Sequence, residues 1–280
     1  MRELERDSVA DDPAHSPSPG RARTLAIVGA GRLGTELAAA LGDASLALPE
    51  GPWRVTGPHG RGYAGADDSA VLLCVPDREI SSAAALISPG PLVGHCSGAC
   101  RLDVLDPHEA FSLHPLMTVV PGRTSFANAG AAVAGSSTRA LTFAGRLAQS
   151  LQMRPTAISD DERATYHAAA SIASNFLITL ETAAERLAAS AEVRRELLGP
   201  LVRATVENWI EVGGERALTG PVARGDNETV AAQRVAVAER APDLLPLFDA
   251  LTEATRALAS ARSERDPAKT KSPPPQRAAA

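Results

Sequence analysis

The segment Thr24–Leu41, TLAIVGAGRLGTELAAAL, restricts the fold more than any other part of the chain. An apolar run leads without a break into Gly29-x-Gly31-x-x-Gly34, and an Ala- and Leu-rich helical pattern follows. Each glycine has its own physical task in a strand–turn–helix unit. Gly29 makes the tight turn, Gly31 lets backbone approach a pyrophosphate, and Gly34 lets the helix pack closely on the strand. Ala30, Arg32 and Leu33 fill the positions between them. Free N–H groups and the helix dipole at this point favour an anion. The segment therefore predicts a dinucleotide-binding domain.

The texture downstream agrees. Short apolar runs at Leu25–Val28, Trp53–Thr56, Ala70–Val75, Leu92–Gly94, Phe111–Leu113 and Ala131–Ala134 alternate with helical patterns at Leu33–Leu41, Glu79–Ile87 and Thr138–Leu151. Such alternation predicts βαβ units in an α/β, doubly wound, mostly parallel sheet. From Ser159 the strand signals stop. Ser159 and Glu162 have capping-box spacing, and one helical pattern runs from about Asp160 to Ser190. Further helices are expected at about Pro200–Val212, Glu228–Arg240 and Pro242–Arg262. The expected organisation is a tail over 1–21, a Rossmann domain over 22–158, an all-α domain over 159–262 and a second tail over 263–280. Both tails are polar and rich in Pro, too poor in apolar area to offset the entropy of ordering.

The nucleotide can be argued from the second strand. NAD enzymes usually carry an acid about 20 residues past the glycines, bonded to the ribose. Here WRVT runs into Gly57-Pro-His-Gly-Arg61-Gly, which has an arginine and no acid. Arg61, with Arg32 in the glycine motif, favours a 2′-phosphate and hence NADP. Val75, Pro76 and Asp77, after the third strand, are expected on the nicotinamide side, with Cys74 before them in the core.

Two polar loops follow later strands. One carries His95, Cys96, Ser97 and Gly98, and the other places His114 after FSL; both are read as substrate contacts. His95, Cys96, Cys100 and His114 match no familiar zinc spacing, so no metal is expected. In the long helix, His167, Ser171 and Asn175 are four apart and share one stripe. Thr219, Arg224 and Asp226 occupy a loop before a later helix. Asp226 suits an N-cap, whereas Arg224 and Thr219 suit a substrate carboxylate.

Together GAGRLG, VLLCVPDREI, HCSGA, FSLHPLMT, YHAAASIASNF, TVENW and LTGPVARGD resemble the Rossmann-like family whose C-terminal half is domain of unknown function 2520. That family is similar in architecture to ketopantoate reductases, pyrroline-5-carboxylate reductases and β-hydroxyacid dehydrogenases. The resemblance implies reduction of a small keto or imino acid with NADPH and a homodimer built through the helical domain. Ketopantoate-reductase-like relatives carry Lys-x-x-x-Asn, with a further Asn four on, along a helix of the second domain, which falls here on the stripe of His167, Ser171 and Asn175. Asn175 matches in type, and His167 stands for the lysine. His167 and Asn175, with Ser171, His114 and Ser97, are thus the candidate catalytic set; His95, Thr219, Arg224 and Asp226 are candidate substrate contacts.

Composition narrows the alternatives. The net charge is −5 and no basic stripe is present, which argues against nucleic acid as partner. No apolar run is long enough for a membrane span, and the N-terminus lacks the apolar region of a secretory signal. Three cysteines make no disulfide framework, so a reducing cytoplasm is expected. The sequence supports an NADP-dependent oxidoreductase. The alternative is a non-catalytic NADP-binding sensor on the same scaffold, favoured by the missing lysine.

Overall fold

The computed structural model describes residues 23–43, 48 and 52–265. The expected tail 1–21, and residues 266–280 of the other, lie outside them. The chain divides into two compact units, one ending at Ser174 and the other beginning at Asn175.

The first unit is built on a seven-stranded sheet in the order β2-β1-β3-β4-β5-β6-β7. Its strands are β1 (Arg23–Val28), β2 (Trp53–His59), β3 (Ala70–Leu73), β4 (Leu92–His95), β5 (Ala110–Leu116), β6 (Gly130–Gly135) and β7 (Arg154–Ala157). Only the β5–β6 pair is antiparallel. Helices α1 (Arg32–Asp43), α2 (Ile80–Ala84) and α3 (Thr138–Ser150) cover its faces.

Alternation along β1 shows why the sheet is covered on both sides. Leu25 and Ile27 pack with Leu37 and Leu41 of α1 and Phe143 and Leu147 of α3. Ala26 and Val28 point the other way, into a cluster with Ile80 and Ala84 of α2. Strands buried on both faces read as continuous apolar runs. Each such Leu or Ile contributes about 1.5–3 kcal/mol by leaving water. In β4, a Cβ at Gly94 would stand 2.4 Å from the Phe111 ring, so the glycine makes room for that ring.

The sheet departs from expectation at its edges. β2 runs on to His59, whose carbonyl accepts from the Gly29 N–H at 2.8 Å. β7, RPTA, carries no apolar alternation because it is a mostly exposed edge strand. The first unit also continues past Ser159. Helix α4 (Arg163–Ser171) belongs to it, held by Arg163, which bonds Asp160 Oδ1 at 2.6 Å and Ser112 Oγ of β5 at 2.7 Å. Glu162 reaches back to accept from the Ser159 N–H at 3.2 Å, which is half of the capping box. The long helix expected from Asp160 is interrupted by a π-turn at Ile172–Phe176, and α5 (Leu177–Ser190) follows.

The second unit holds α5, α6 (Arg195–Val212), α7 (Gly214–Ala217), α8 (Asn227–Arg240) and α9 (Leu245–Arg265). Helix α6 begins before Pro200, which lies inside it rather than at its start. It ends at Gly213, which takes φ 78°. Bidentate pairs Arg186–Asp243 and Arg234–Asp249 tie the helices at the surface.

Candidate nucleotide cleft and active site

The glycine turn behaves as its spacing requires. Gly29 takes φ 113°, and a Cβ on it would stand 2.4 Å from the Cys74 carbonyl oxygen. A Cβ on Gly34 would fall on the Gly29 carbonyl, so helix and strand pack with no room for a side chain. Gly31 is different: a Cβ there would meet nothing within 4 Å. No internal packing demands a glycine at 31, and its open side faces two clefts that it lines.

The first cleft, about 670 Å³, runs between Gly29–Gly31, the Gly60–Tyr63 loop and Val75–Leu86. The second, about 520 Å³, continues past Gly31 to Cys96, Ser97, Thr118 and Val119. Cys74, Val75 and Pro76 line both. A dinucleotide laid across the turn fits this arrangement, with the adenosine end in the first cleft and the other end in the second.

Arg61 stands at the mouth of the first cleft with its side chain 90% exposed, 3.3 Å from Glu79 Oε1. Arg32, the first residue of α1, lines the second cleft and not the first. Arg61 is the arginine that lines the first cleft. Tyr63 stacks on His59 with ring centroids 3.9 Å apart. Burial and the neighbouring Asp68 push the Tyr63 hydroxyl up to about 12.

At the second cleft the side chains are tightly committed. Ser97 Oγ donates to Asp77 Oδ2 at 2.8 Å and accepts the N–H groups of Ala99 and Cys100 at 3.1 and 2.9 Å. Its hydroxyl proton is thus engaged, and Ser97 builds the turn rather than acting as a catalytic group. His95 is 0% exposed. Its Nδ1 accepts the Ser97 N–H at 3.2 Å, and burial, aided by the Arg163 charge, lowers its pKa to about 4. His95 cannot touch a substrate, so the expected contact is corrected: β4 carries its side chain into the interior, where it supports the Ser97 turn. Cys74 is half-buried: it packs against the core cluster on one side and lines both clefts on the other.

Beyond that turn lie two imidazoles. A Cβ on Gly98 would stand 2.9 Å from His114 Cε1 and 2.9 Å from His167 Cδ2, so bare backbone fits between them. His114 Nδ1 is 2.8 Å from the Tyr166 hydroxyl. Burial first, then the charge of His167, lowers the His114 pKa to about 4 and keeps it neutral. His167 is exposed on α4, one residue after Tyr166. Ser171, half-buried, closes α4.

The remaining expected residues are in the second unit. Asn175 is exposed, with its carbonyl accepting from Thr179 Oγ1 at 3.1 Å. Asp226 caps α8 by accepting from the Thr229 N–H at 3.0 Å and from its hydroxyl at 2.7 Å. Thr219 and Arg224 are exposed in the turn before it. Among the described residues no group of three or more His, Cys, Asp or Glu could hold a metal, and no helix is long and apolar enough to cross a membrane.

Residues 130–255 match the family model described as domain of unknown function DUF2520. The matched segment makes up a little less than half of the chain. It begins at β6, inside the sheet, and includes Arg163, Tyr166 and His167. A Thermotoga maritima protein is similar in structure at TM-score 0.71 and 22% identity, covering 86% of this chain and 99% of that one. A Bacteroides fragilis protein described provisionally as an NADP oxidoreductase gives TM-score 0.67 at 20% identity over 84% and 98%. Plasmodium falciparum pyrroline carboxylate reductase with NADP bound gives 0.52 at 12% over 85% and 98%. At these identities the likeness establishes a shared fold. Comparison with curated proteins finds no sequence match.

The sequence pattern gives no role to Arg163, Tyr166 or Glu79 at the site. The Asp160–Arg163 spacing of a helical ion pair was the one local signal; the partners Ser112 and His114 are remote in the chain.

Proposed function

We propose that this protein is an NADP(H)-dependent oxidoreductase that reduces a small keto or imino acid. The observation that carries the reading is the Ser97–Gly98 turn. Ser97 lines the second cleft with Gly31, and Gly98 lies against both His114 and His167. A substrate beside that cleft meets two imidazoles of different character. Bound NADPH supplies a hydride at such a site.

His114 is neutral, and with the Tyr166 hydroxyl donating to its Nδ1 it presents Nε2–H beside Gly98. That N–H donates to a carbonyl oxygen or imine nitrogen as negative charge develops on it. His167, exposed and next to it, supplies the proton, a role imidazole fills near neutral pH. Arg61 at the adenosine end, with no acid in its loop, supports NADP over NAD. The likeness to a pyrroline carboxylate reductase crystallised with NADP supports both cofactor and substrate class.

The second reading, an NADP-binding sensor without turnover, is favoured by the absence of a lysine from the His167 stripe, the sequence having lysines only at 269 and 271. Following NADPH oxidation against a panel of 2-keto acids and cyclic imines, ketopantoate included, decides between them. Turnover of one class supports the enzyme, and NADPH binding without turnover across the panel supports the sensor.

The partner we infer for the second unit is another copy of the chain. Its buried hydrophobics among the described residues are Val230, Val237 and Ala241, while Leu197, Leu201, Trp209 and Ile210 of α6 are 58–70% exposed. Large exposed apolar faces mark association surfaces. Light scattering at micromolar concentration should give a dimer, and a monomer would refute this. A reducing cytoplasm suits the three free cysteines.

A further inference from the structure

Cys74 and Cys96 follow neighbouring parallel strands, β3 and β4, which pair with Leu73 opposite His95. The Cys96 N–H bonds the Leu73 carbonyl at 3.2 Å, so the two cysteines stand side by side with Sγ atoms 3.7 Å apart. Adjacent strands run about 4.8 Å apart, within the roughly 4.4–6.8 Å Cα separation that disulfides span. Both thiols line the second cleft with Gly31. The proposed reduction uses neither.

We propose that Cys74 and Cys96 are a dithiol–disulfide pair on the floor of the nucleotide cleft, oxidised by a hydroperoxide when the cleft is empty and shielded when nucleotide covers it. The shielding rests on the nucleotide reading above; the pair itself does not. Cys74 is the point of attack, because it is half-buried and lines both clefts, whereas Cys96 is 8% exposed. Its hydrogen bond with Cys74, then burial, holds the Cys96 thiol well above the usual range, so it does not initiate; its sulfur, 3.7 Å from that of Cys74, is placed to resolve.

The steps balance. The Cys74 thiol takes one oxygen from the hydroperoxide, giving a sulfenic acid and releasing an alcohol, or water when the oxidant is hydrogen peroxide. The Cys96 sulfur then attacks the Cys74 sulfur, the S–O bond breaks, and the oxygen leaves as water with the Cys96 proton. The thiols lose two electrons in all, and the hydroperoxide is reduced by two.

Closing the gap from 3.7 Å to about 2.05 Å must move Cys74. That residue is wedged under the glycine turn: Cβ positions on Gly29 and Gly34 would lie 2.4 Å from its carbonyl oxygen and 3.1 Å from its Cβ. The movement is therefore passed to the turn that receives the pyrophosphate.

The test treats the full chain with hydrogen peroxide, blocks remaining thiols with N-ethylmaleimide and maps peptides by mass spectrometry. The expected product is a Cys74–Cys96 link that dithiothreitol reverses, lost in Cys74→Ser and in Cys96→Ser and kept in Cys100→Ser. Sulfinic acid at Cys74 without that link would overturn the proposal. NADP⁺ should slow link formation, and the oxidised chain should bind NADP⁺ about tenfold more weakly. Equal affinity of both forms would overturn the coupling. A link that forms while NADP⁺ binds neither form would leave the thiol pair standing and remove the nucleotide reading.

Discussion

His114 Nδ1 lies 2.8 Å from the hydroxyl of Tyr166, which joins β5 to α4 across 52 residues of chain. The bond fixes which ring nitrogen faces Gly98. Tyr166→Phe removes it while keeping the ring, which packs edge-on to His114 at 5.5 Å. A hydrogen bond of this kind contributes about 0.5–1.5 kcal/mol, so kcat should fall about two- to tenfold. NADPH affinity should not change, since Tyr166 lines neither cleft; nucleotide titration alongside steady-state kinetics checks both.

The acid itself should matter more. His167→Ala is expected to lower kcat by about 10²–10⁴ with NADPH binding intact, the usual range for a lost general acid. Gly98→Ala tests the same geometry from the other side. Its methyl would press on both imidazoles at 2.9 Å, so one ring must shift and kcat should drop about 10- to 100-fold. Full activity in Gly98→Ala would mean that the two rings do not act together.

Nucleotide choice rests on Arg61. Arg61→Ala should weaken NADPH by about tenfold or more, the scale of a lost charged hydrogen bond, and leave NADH nearly unchanged. Because Glu79 holds Arg61 in a surface ion pair, Glu79→Gln should tighten NADPH, by less than about fivefold given how weak such pairs are. Gly31→Val, which fills the open side of the turn, should abolish binding of both nucleotides in a protein whose circular dichroism is unchanged.

The strand–turn–helix and the alternating runs were legible because they are local: period-two burial and glycine spacing lie within a few residues. What the sequence hid depends on contacts between remote segments. His95 looks like a loop ligand in GHCSGAC, yet Ser97 and Arg101 fold back over it. Ser97 looks like a substrate contact in the same loop, yet its hydroxyl donates to Asp77. The loss of strand signals at Ser159 suggested a domain edge, but Arg163 carries α4 into the sheet unit through Ser112. Asp77 follows β3 closely enough that its place at the sheet's carboxyl edge is local in the sequence, and it lines the second cleft.

That anchor makes its own prediction. Arg163 is 1% exposed, and its Nη1 has no partner among the described atoms. Removing Asp160 would leave the guanidinium buried without its carboxylate, a loss of about 3–5 kcal/mol. Asp160→Ala should therefore lower the urea midpoint sharply and loosen α4, so that kcat falls even in the folded fraction.

Acid should unfold the protein earlier than its carboxylates alone would dictate. His95 and His114 both sit near 4 in the fold against an ordinary value of 6.5, so above about pH 6.5 they are neutral in both states and add no pH dependence. Below that the unfolded chain takes up protons the folded chain refuses, and stability drops as pH falls toward 4. Each refused proton gives a slope of up to about 1.4 kcal/mol per pH unit. His114 is only half-buried, so the combined slope should approach about 2 kcal/mol per pH unit. Asp160 and Glu109, held below the usual carboxylate range, act in the same direction but at lower pH, where they lose their charge. Urea midpoints measured from pH 7 to pH 4 should trace this descent, and His95→Gln should flatten it by about one proton's worth. A flat profile in the unaltered protein would mean that both imidazoles take up protons in the folded state, and the neutral donor assigned to His114 would go with it.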